Sequence, residues 1–254
     1  MIRFEQVHKK FGRRTVLDDV NFEIKKSEIF IIVGLSGAGK SVSLKHMVRL
    51  LTPDAGKVWV GDDVVSEATG SELERIRARF GYLFQSGALL QWMSAGENVG
   101  LPLREHTTMG DEEIDRIARE KMKLVHLEEA YDRAPADLSG GMRKRVSLAR
   151  AIVRNPEIVL YDEPTSGLDP LTSRTIDKLI LETRNQLGVT SIVVTHDLHS
   201  ALSIGDTIAM LHEGRMVELA TPKQFIASKH PVVRSFLESQ YITTRGEWEG
   251  NASP

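Results

Sequence analysis

The chain has 254 residues, enough to bury roughly 70 to 75% of its unfolded surface as one large domain or two small ones. A composition of 41% hydrophobic and 27% charged residues is that of a folded globular protein, and a formal net charge of −2 excludes a global nucleic-acid footprint. The absence of cysteine excludes disulfides, thiolate metal sites and a cysteine nucleophile, and suits a cytosolic protein.

The opening residues, MIRFEQVHKK, lack the apolar core of a signal peptide. The longest apolar runs, such as IFIIV at 29–33, are too short to cross a bilayer, so membrane association would need a partner. IRFEQV and VNFEIK alternate polar with apolar residues, and VWVGDDVV adds a strand turned at Gly61-Asp62-Asp63, which together predict an antiparallel N-terminal patch. EIFIIVG is a continuous apolar run ending in glycine, as in a strand buried on both faces of a parallel sheet. Leu44, Met47, Val48 and Leu51 follow with helical spacing. Residues 86–136 are helical in pattern, with no convincing buried strand. Met142, Val146, Ala149 and Val153 predict another helix, and EIVLYDE at 157–163 and TSIVVTHD at 190–197 predict buried strands neighbouring the first. IAMLHEGRMVELA reads as a hairpin around Glu213-Gly214. Thr221-Pro222 begins a short helix that His230-Pro231 interrupts, and ITTRGEWEGNASP reads as a loose tail. Strands alternating with helices make the fold α/β.

GLSGAGKS, from Gly34 through Leu35, Ser36, Gly37, Ala38, Gly39 and Lys40 to Ser41, satisfies G-x-x-x-x-G-K-[ST] between a strand pattern and a helix pattern. Glycines let backbone N–H groups wrap a phosphate, Lys40 suits the β/γ-phosphates, and Ser41 suits Mg²⁺. The loop alone indicates a nucleoside triphosphate but not whether the protein is a kinase or an ATPase. Asp162 and Glu163 leave the end of an apolar strand, where ligands of open α/β sheets bind. Asp162 suits the Mg²⁺ shell and Glu163 the polarisation of attacking water, the alternative being a solvated loop. His196 leaves its strand in the same way and suits donation to a γ-phosphate oxygen, although a lone histidine is often structural. The histidines form no zinc constellation. The basic run Arg143, Lys144 and Arg145 reads as a solvated helix face, the alternative being direct phosphate ligands.

The motif order GLSGAGKS, Gln85 in YLFQSG, LSGGM, IVLYDEPTSGLD and VVTHD resembles the ATP-binding-cassette (ABC) ATPases over residues 1–230. The resemblance implies a P-loop NTPase fold with a mainly parallel core sheet, an N-terminal antiparallel β patch and an inserted helical subdomain. It divides the chain into a core of 1–85 and 137–220, a helical subdomain of 86–136 followed by the signature at 138–142, and a C-terminal extension of 221–254. It further implies that ATP and Mg²⁺ bind, with Glu163, His196 and Gln85 catalytic, and Ser41, Gln85 and Asp162 on the metal. Phe11 matches the position that stacks on adenine, its alternative being a core or hairpin phenylalanine. Ser139, Gly140, Gly141 and Met142 would cap the ATP of a second copy bound head to tail, and Asp169 would connect the two sites, unless it serves only as a helix cap.

LSGGM with RKRVSLARAI, FQSGALL and NVGLPLREHT looks more narrowly like the ATPases of MCE-associated, Mla-type phospholipid transporters. That likeness implies a second copy, multispanning permease subunits, an MCE-domain substrate-binding protein and a STAS-domain subunit. It also implies a peripheral position on the cytoplasmic face of the inner membrane, with no nucleic-acid partner. Apolar residues between Leu89 and Leu103 fit either permease docking or core packing, and Trp248 in the tail is a candidate anchor for a neighbour. The competing readings are a soluble ABC ATPase, as in iron-sulfur biogenesis, and an ATP-switched regulatory module.

Overall fold

A computed structural model describes residues 1–240 and 242, so the expectation for Trp248 lies outside the described residues. The chain forms two compact units, Met1–Ala68 with Val194–Pro254, and Thr69–Val193.

In the first unit, β1 (Ile2–Phe11) pairs antiparallel with β2 (Arg14–Ile24), and β3 (Ile29–Val33) is buried at all five positions. Helix α1 (Lys40–Met47) follows, then β4 (Ala55–Val60) and the short β5 (Asp63–Val64). The antiparallel sheet runs β2-β1-β4-β5, as its alternating pattern predicts. Its inner face seats Phe4 on Phe22 with centroids 4.4 Å apart, and Phe22 on Phe30 at 5.4 Å. Helix α1 is shorter than the spacing through Leu51 predicts. Arg49 takes a left-handed φ of 51°, and the amides of Leu50 and Leu51 both turn back to the Lys45 carbonyl.

The second unit begins with α2 (Gly70–Arg77) and β6 (Phe80–Leu83), continues through α3 (Ala95–His106) and α4 (Asp111–Leu124), and reaches α5 (Gly140–Ile152). Next come β7 (Ile158–Asp162), α6 (Pro170–Leu187) and β8 (Thr190–Val194). The strand order is β8-β7-β6, with β6 parallel to β7 from Phe80 opposite Ile158 to Leu83 opposite Tyr161. Strands β7 and β8 are wholly buried, as continuous apolar runs predict, whereas β6 escapes that pattern. Its Phe80 and Tyr82 are half-exposed, and Gly81 lies against the Ala151 carbonyl, where a Cβ would stand 2.1 Å from the oxygen. Helix α3 starts with a capping box between Ser94 and Glu97, and α4 buries Ile114, Ala118 and Met122.

The first unit is completed by α7 (Leu198–Ile204), β9 (Thr207–His212), β10 (Arg215–Ala220), α8 (Pro222–Ile226) and α9 (Pro231–Ser239). Strand β9 is parallel to β3 and antiparallel to β10. Glu213 and Gly214 form the expected hairpin turn, both with positive φ. His230 does more than interrupt a helix. It caps a new one, its Nδ1 accepting from the Val232 amide at 3.3 Å.

Candidate functional site

The first unit carries the phosphate loop between buried β3 and α1. Gly34 has a φ of 151°, and a Cβ there would stand 2.3 Å from the Leu211 carbonyl oxygen, so close backbone approach requires glycine. Leu35, Ser36 and Gly37 are exposed, while Ala38, Gly39 and Lys40 are buried and Ser41 is half-buried. Lys40 Nζ donates to the carbonyls of Gly34 at 2.9 Å and Leu35 at 3.2 Å, which curls the loop around its own ammonium. The result is an exposed tip of peptide groups, a cation and the N-terminus of α1 together, an arrangement suited to phosphate.

Phe11 is 47% exposed at the end of β1, so the core alternative is set aside. Lys9 Nζ lies 5.6 Å from its ring centroid and is held by Asp54 Oδ1 at 2.8 Å. The Lys9 ammonium and the Lys10 amide hold the Asp54 carboxyl below its usual range. His196 is exposed two residues beyond β8.

The second unit carries the carboxylates. Asp162 ends β7 and Glu163 follows it, only 6% and 8% exposed, with Glu163 in a left-handed φ of 50°. The Tyr82 hydroxyl donates to Asp162 Oδ2 at 3.4 Å, and burial, followed by the Asp162 charge, pushes the phenol's pKa upward.

Lys144 corrects the reading of the basic run as a solvated face. It is 6% exposed, and its ammonium donates to the backbone carbonyls of both Gln85 and Glu163, the latter at 3.1 Å. Burial lowers its pKa, opposed by the charges of Asp162 and Glu163. The flanking arginines also turn to backbone, Arg143 to Leu138 O at 2.5 Å and Arg145 to His126 O at 3.1 Å. One turn on, Ser147 Oγ donates to Gly87 O at 2.9 Å, and Arg150 donates to Gly87 O at 2.6 Å and Ala88 O at 2.7 Å. Helix α5 thus grips the carbonyls of the Gln85–Ala88 segment while the Gln85 residue stays exposed. The signal was present in the spacing, because Lys144 shares a helical face with Gly141 and Leu148, both buried.

Ser139 is the N-cap of α5, its Oγ accepting from the Met142 amide at 3.2 Å, with Gly140 and Gly141 as the first two helical residues. Asp169 caps α6, accepting from the Thr172 amide at 3.0 Å and the Thr172 hydroxyl at 2.5 Å, and these bonds lower its pKa. Between Leu89 and Leu103, the core-packing expectation holds for Leu89, Val99 and Leu103, which are buried, whereas Trp92 is 79% exposed. Buried Asn98 shapes that segment, accepting from the Leu90 amide at 2.8 Å and donating to the carbonyls of Leu90, Met93 and Ser94.

The family model described as ABC transporter matches residues 17–166. The probable ribonucleotide transport ATP-binding protein mkl of Mycobacterium leprae is 39% identical over 241 residues, covering 95% of this chain and 70% of its own length. The chain spans 65% of the length of the mkl proteins of Mycobacterium bovis and Mycobacterium tuberculosis. The intermembrane phospholipid transport system ATP-binding protein MlaF of Haemophilus influenzae is 36% identical over 240 residues, covering 94% of this chain and 91% of its own. Among solved structures, the dimeric ATP-binding cassette MJ0796, in a post-hydrolysis state with ADP and Pi, superposes with a TM-score of 0.80 at 35% identity, covering 87% of this chain and 99% of its own.

The fold and these likenesses define a P-loop ATPase that takes ATP with Mg²⁺. The chain belongs to the ABC transporter ATP-binding family.

Proposed function

We propose that the chain is the ATPase subunit of an MCE-associated, Mla-type phospholipid transporter, working as a head-to-tail pair beneath multispanning permease subunits at the cytoplasmic face of the inner membrane. Likeness to a phospholipid-transport ATPase carries the lipid reading, with 36% identity to MlaF of Haemophilus influenzae over 94% of this chain. No helix among the described residues is long and apolar enough to cross a membrane. In this reading the spans belong to the permease, and an MCE-domain protein and a STAS-domain subunit complete the assembly.

Phe11 stacks on adenine, and the peptide N–H groups of 34–41 with Lys40 receive the phosphates. Mg²⁺, when bound, neutralises charge on the phosphate oxygens, and Ser41, Gln85 and Asp162 offer the oxygen donors it takes. Glu163 orients and polarises the attacking water, a role that depends on placement more than basicity, while His196 donates to a γ-phosphate oxygen. The Ser139 hydroxyl accepts from Met142, which leaves its own hydrogen to donate, beside the amides of Gly140 and Gly141, to the nucleotide of the second copy. Asp169 links the two copies' sites.

Within the second unit a cleft of about 600 Å³ is lined by Phe80, Tyr82, Phe84, Leu101 and Pro102, with Arg150 among its polar groups. This mix of apolar and charged lining suits a permease segment and supports the reading that the helical subdomain, residues 86–136, helps to form the transporter contact. ATP favours the closed pair, and hydrolysis releases it.

Co-purification from solubilised membranes tests the reading. The expected outcome is recovery of a multispanning partner and an MCE-domain protein, with ATP turnover stimulated by phospholipid. Recovery without any membrane protein would indicate a soluble cassette, and stimulation by ribonucleotides instead of phospholipid would replace the substrate class.

A further inference from the structure

Helix α9 ends on a side chain that brackets the segment around His196. Gln240, the C-cap residue, donates from Nε2 to the His196 carbonyl at 2.6 Å and accepts at Oε1 from the Leu198 amide at 2.9 Å. A single carboxamide therefore matches its donor to a backbone acceptor and its acceptor to a backbone donor two residues on. The Leu198 amide opens α7 and has no partner within that helix. Asp197 takes the next two amides, His199 at 2.9 Å and Ser200 at 3.2 Å, so Gln240 supplies the cap bond that Asp197 leaves unmade.

On the other side of His196, the chain is already tied down. The Thr195 amide donates to Ile32 O at 3.1 Å, and the Thr195 hydroxyl accepts from the Asp197 amide at 3.0 Å. The peptide unit leaving His196 is thus held at its Asp197 amide by Thr195 and at its carbonyl by Gln240. The clamp stands on a fixed base, because α9 buries Val233, Phe236 and Leu237 and the amides of Gln240 and Ile242 both return to Leu237 O at 3.1 Å.

We propose that Gln240 is a positioning residue for ATP hydrolysis, fixing the backbone of His196 so that its imidazole is aimed at the γ-phosphate. The inference rests on the assignment of His196 as the γ-phosphate donor. It gives the C-terminal extension a chemical purpose, since any partner that draws α9 away loosens His196 without touching the phosphate loop.

The test compares full-length wild type with Gln240→Ala, Gln240→Glu and His196→Ala in steady-state ATP hydrolysis, thermal denaturation and amide hydrogen exchange across residues 195–201. Gln240→Ala is expected to lower kcat about tenfold, less than the roughly 10²-fold that a full 1 Å misplacement costs. The KM for ATP should stay within about twofold, and Tm within about 4 °C. Gln240→Glu keeps an acceptor for Leu198 but sets a carboxylate oxygen against the His196 carbonyl, so kcat should fall at least as far. Exchange at Leu198 should quicken in Gln240→Ala, which leaves that amide without its acceptor. Wild-type kcat in Gln240→Ala alongside an inactive His196→Ala would overturn the positioning role. So would a loss of kcat matched by an equal rise in KM, or by a Tm fall beyond about 8 °C, since both mark a general structural defect. Wild-type turnover in His196→Ala would instead overturn the assignment of His196 itself.

Discussion

A lysine ammonium taken out of water is tolerated when its hydrogens find oxygens, and Lys144 meets that condition with two carbonyls belonging to the two residues assigned to water and metal chemistry. Substitution Lys144→Met keeps much of the volume and removes both bonds. The expected loss is about 2 kcal/mol, which for a chain of this size lowers Tm by roughly 4 to 8 °C, read by thermal denaturation. An unchanged Tm would show that water replaces the ammonium. At this scale the sequence was legible for side chains that act through their own chemistry. The phosphate loop and the Asp162-Glu163 pair sit at an exposed loop and a buried strand end, as their flanks predict. It was poorly legible for Lys144, because charge in a run reads as solvent-facing and the carbonyls that draw it inward come from residues 59 and 19 positions away. Phe11 and Asp169 were ambiguous for a related reason. An aromatic ring at a strand end and an aspartate before a proline each suit two settings, and the sequence alone does not separate them.

Helix α1 carries a pH dependence in its last turn. His46 is buried, its Nδ1 bonded to Leu51 O at 2.8 Å, so this nitrogen carries the hydrogen, and Nε2 lies buried without a hydrogen-bond partner. Protonating Nε2 would place a charge where no acceptor stands, and burial accordingly lowers the pKa, opposed by the Leu51 carbonyl. With the folded-state pKa below the ordinary value of about 6.5, the unfolded chain takes the proton first. Stability is therefore fully present above about pH 6.5 and is lost as pH falls towards the folded-state value. Denaturant titrations between pH 7 and pH 5 should show a shallower decline for His46→Gln than for wild type; equal slopes would remove His46 as the source. Among elements, buried strands and amphipathic helices were readable because a face packed on both sides, or on one, imposes its own period. Strand β6 was not, since four residues containing a glycine are too short to show a period. The end of α1 depends on Arg49 adopting a left-handed turn, and the start of α9 on a histidine acting as cap. Neither is a strong preference of its residue type.

For the whole molecule, motif order identified the family more surely than any one motif, because each short pattern has a chance rate that the others multiply down. In the head-to-tail pair proposed above, the same order separates the residues that act on a copy's own nucleotide from those offered to its partner. Glu163→Gln is expected to lower turnover by at least ~10² while ATP binding is retained, so ATP should accumulate a stable pair of copies visible by light scattering. Adding Ser139→Ala should weaken that pairing with ATP binding less affected. Near-normal hydrolysis by Glu163→Gln would remove the first role, and undiminished pairing of the double variant would remove the second. Substrate identity was least legible, since nothing in an ATP-hydrolysing subunit need touch the cargo. The grip of α5 on residues 85–88 runs entirely through main-chain oxygens, and it is therefore blind to which side chains that segment displays. The path of the loop and the chemistry of its side chains are separable properties. A defect caused by replacing the Gln85 carboxamide reports on that amide itself, not on a collapsed loop.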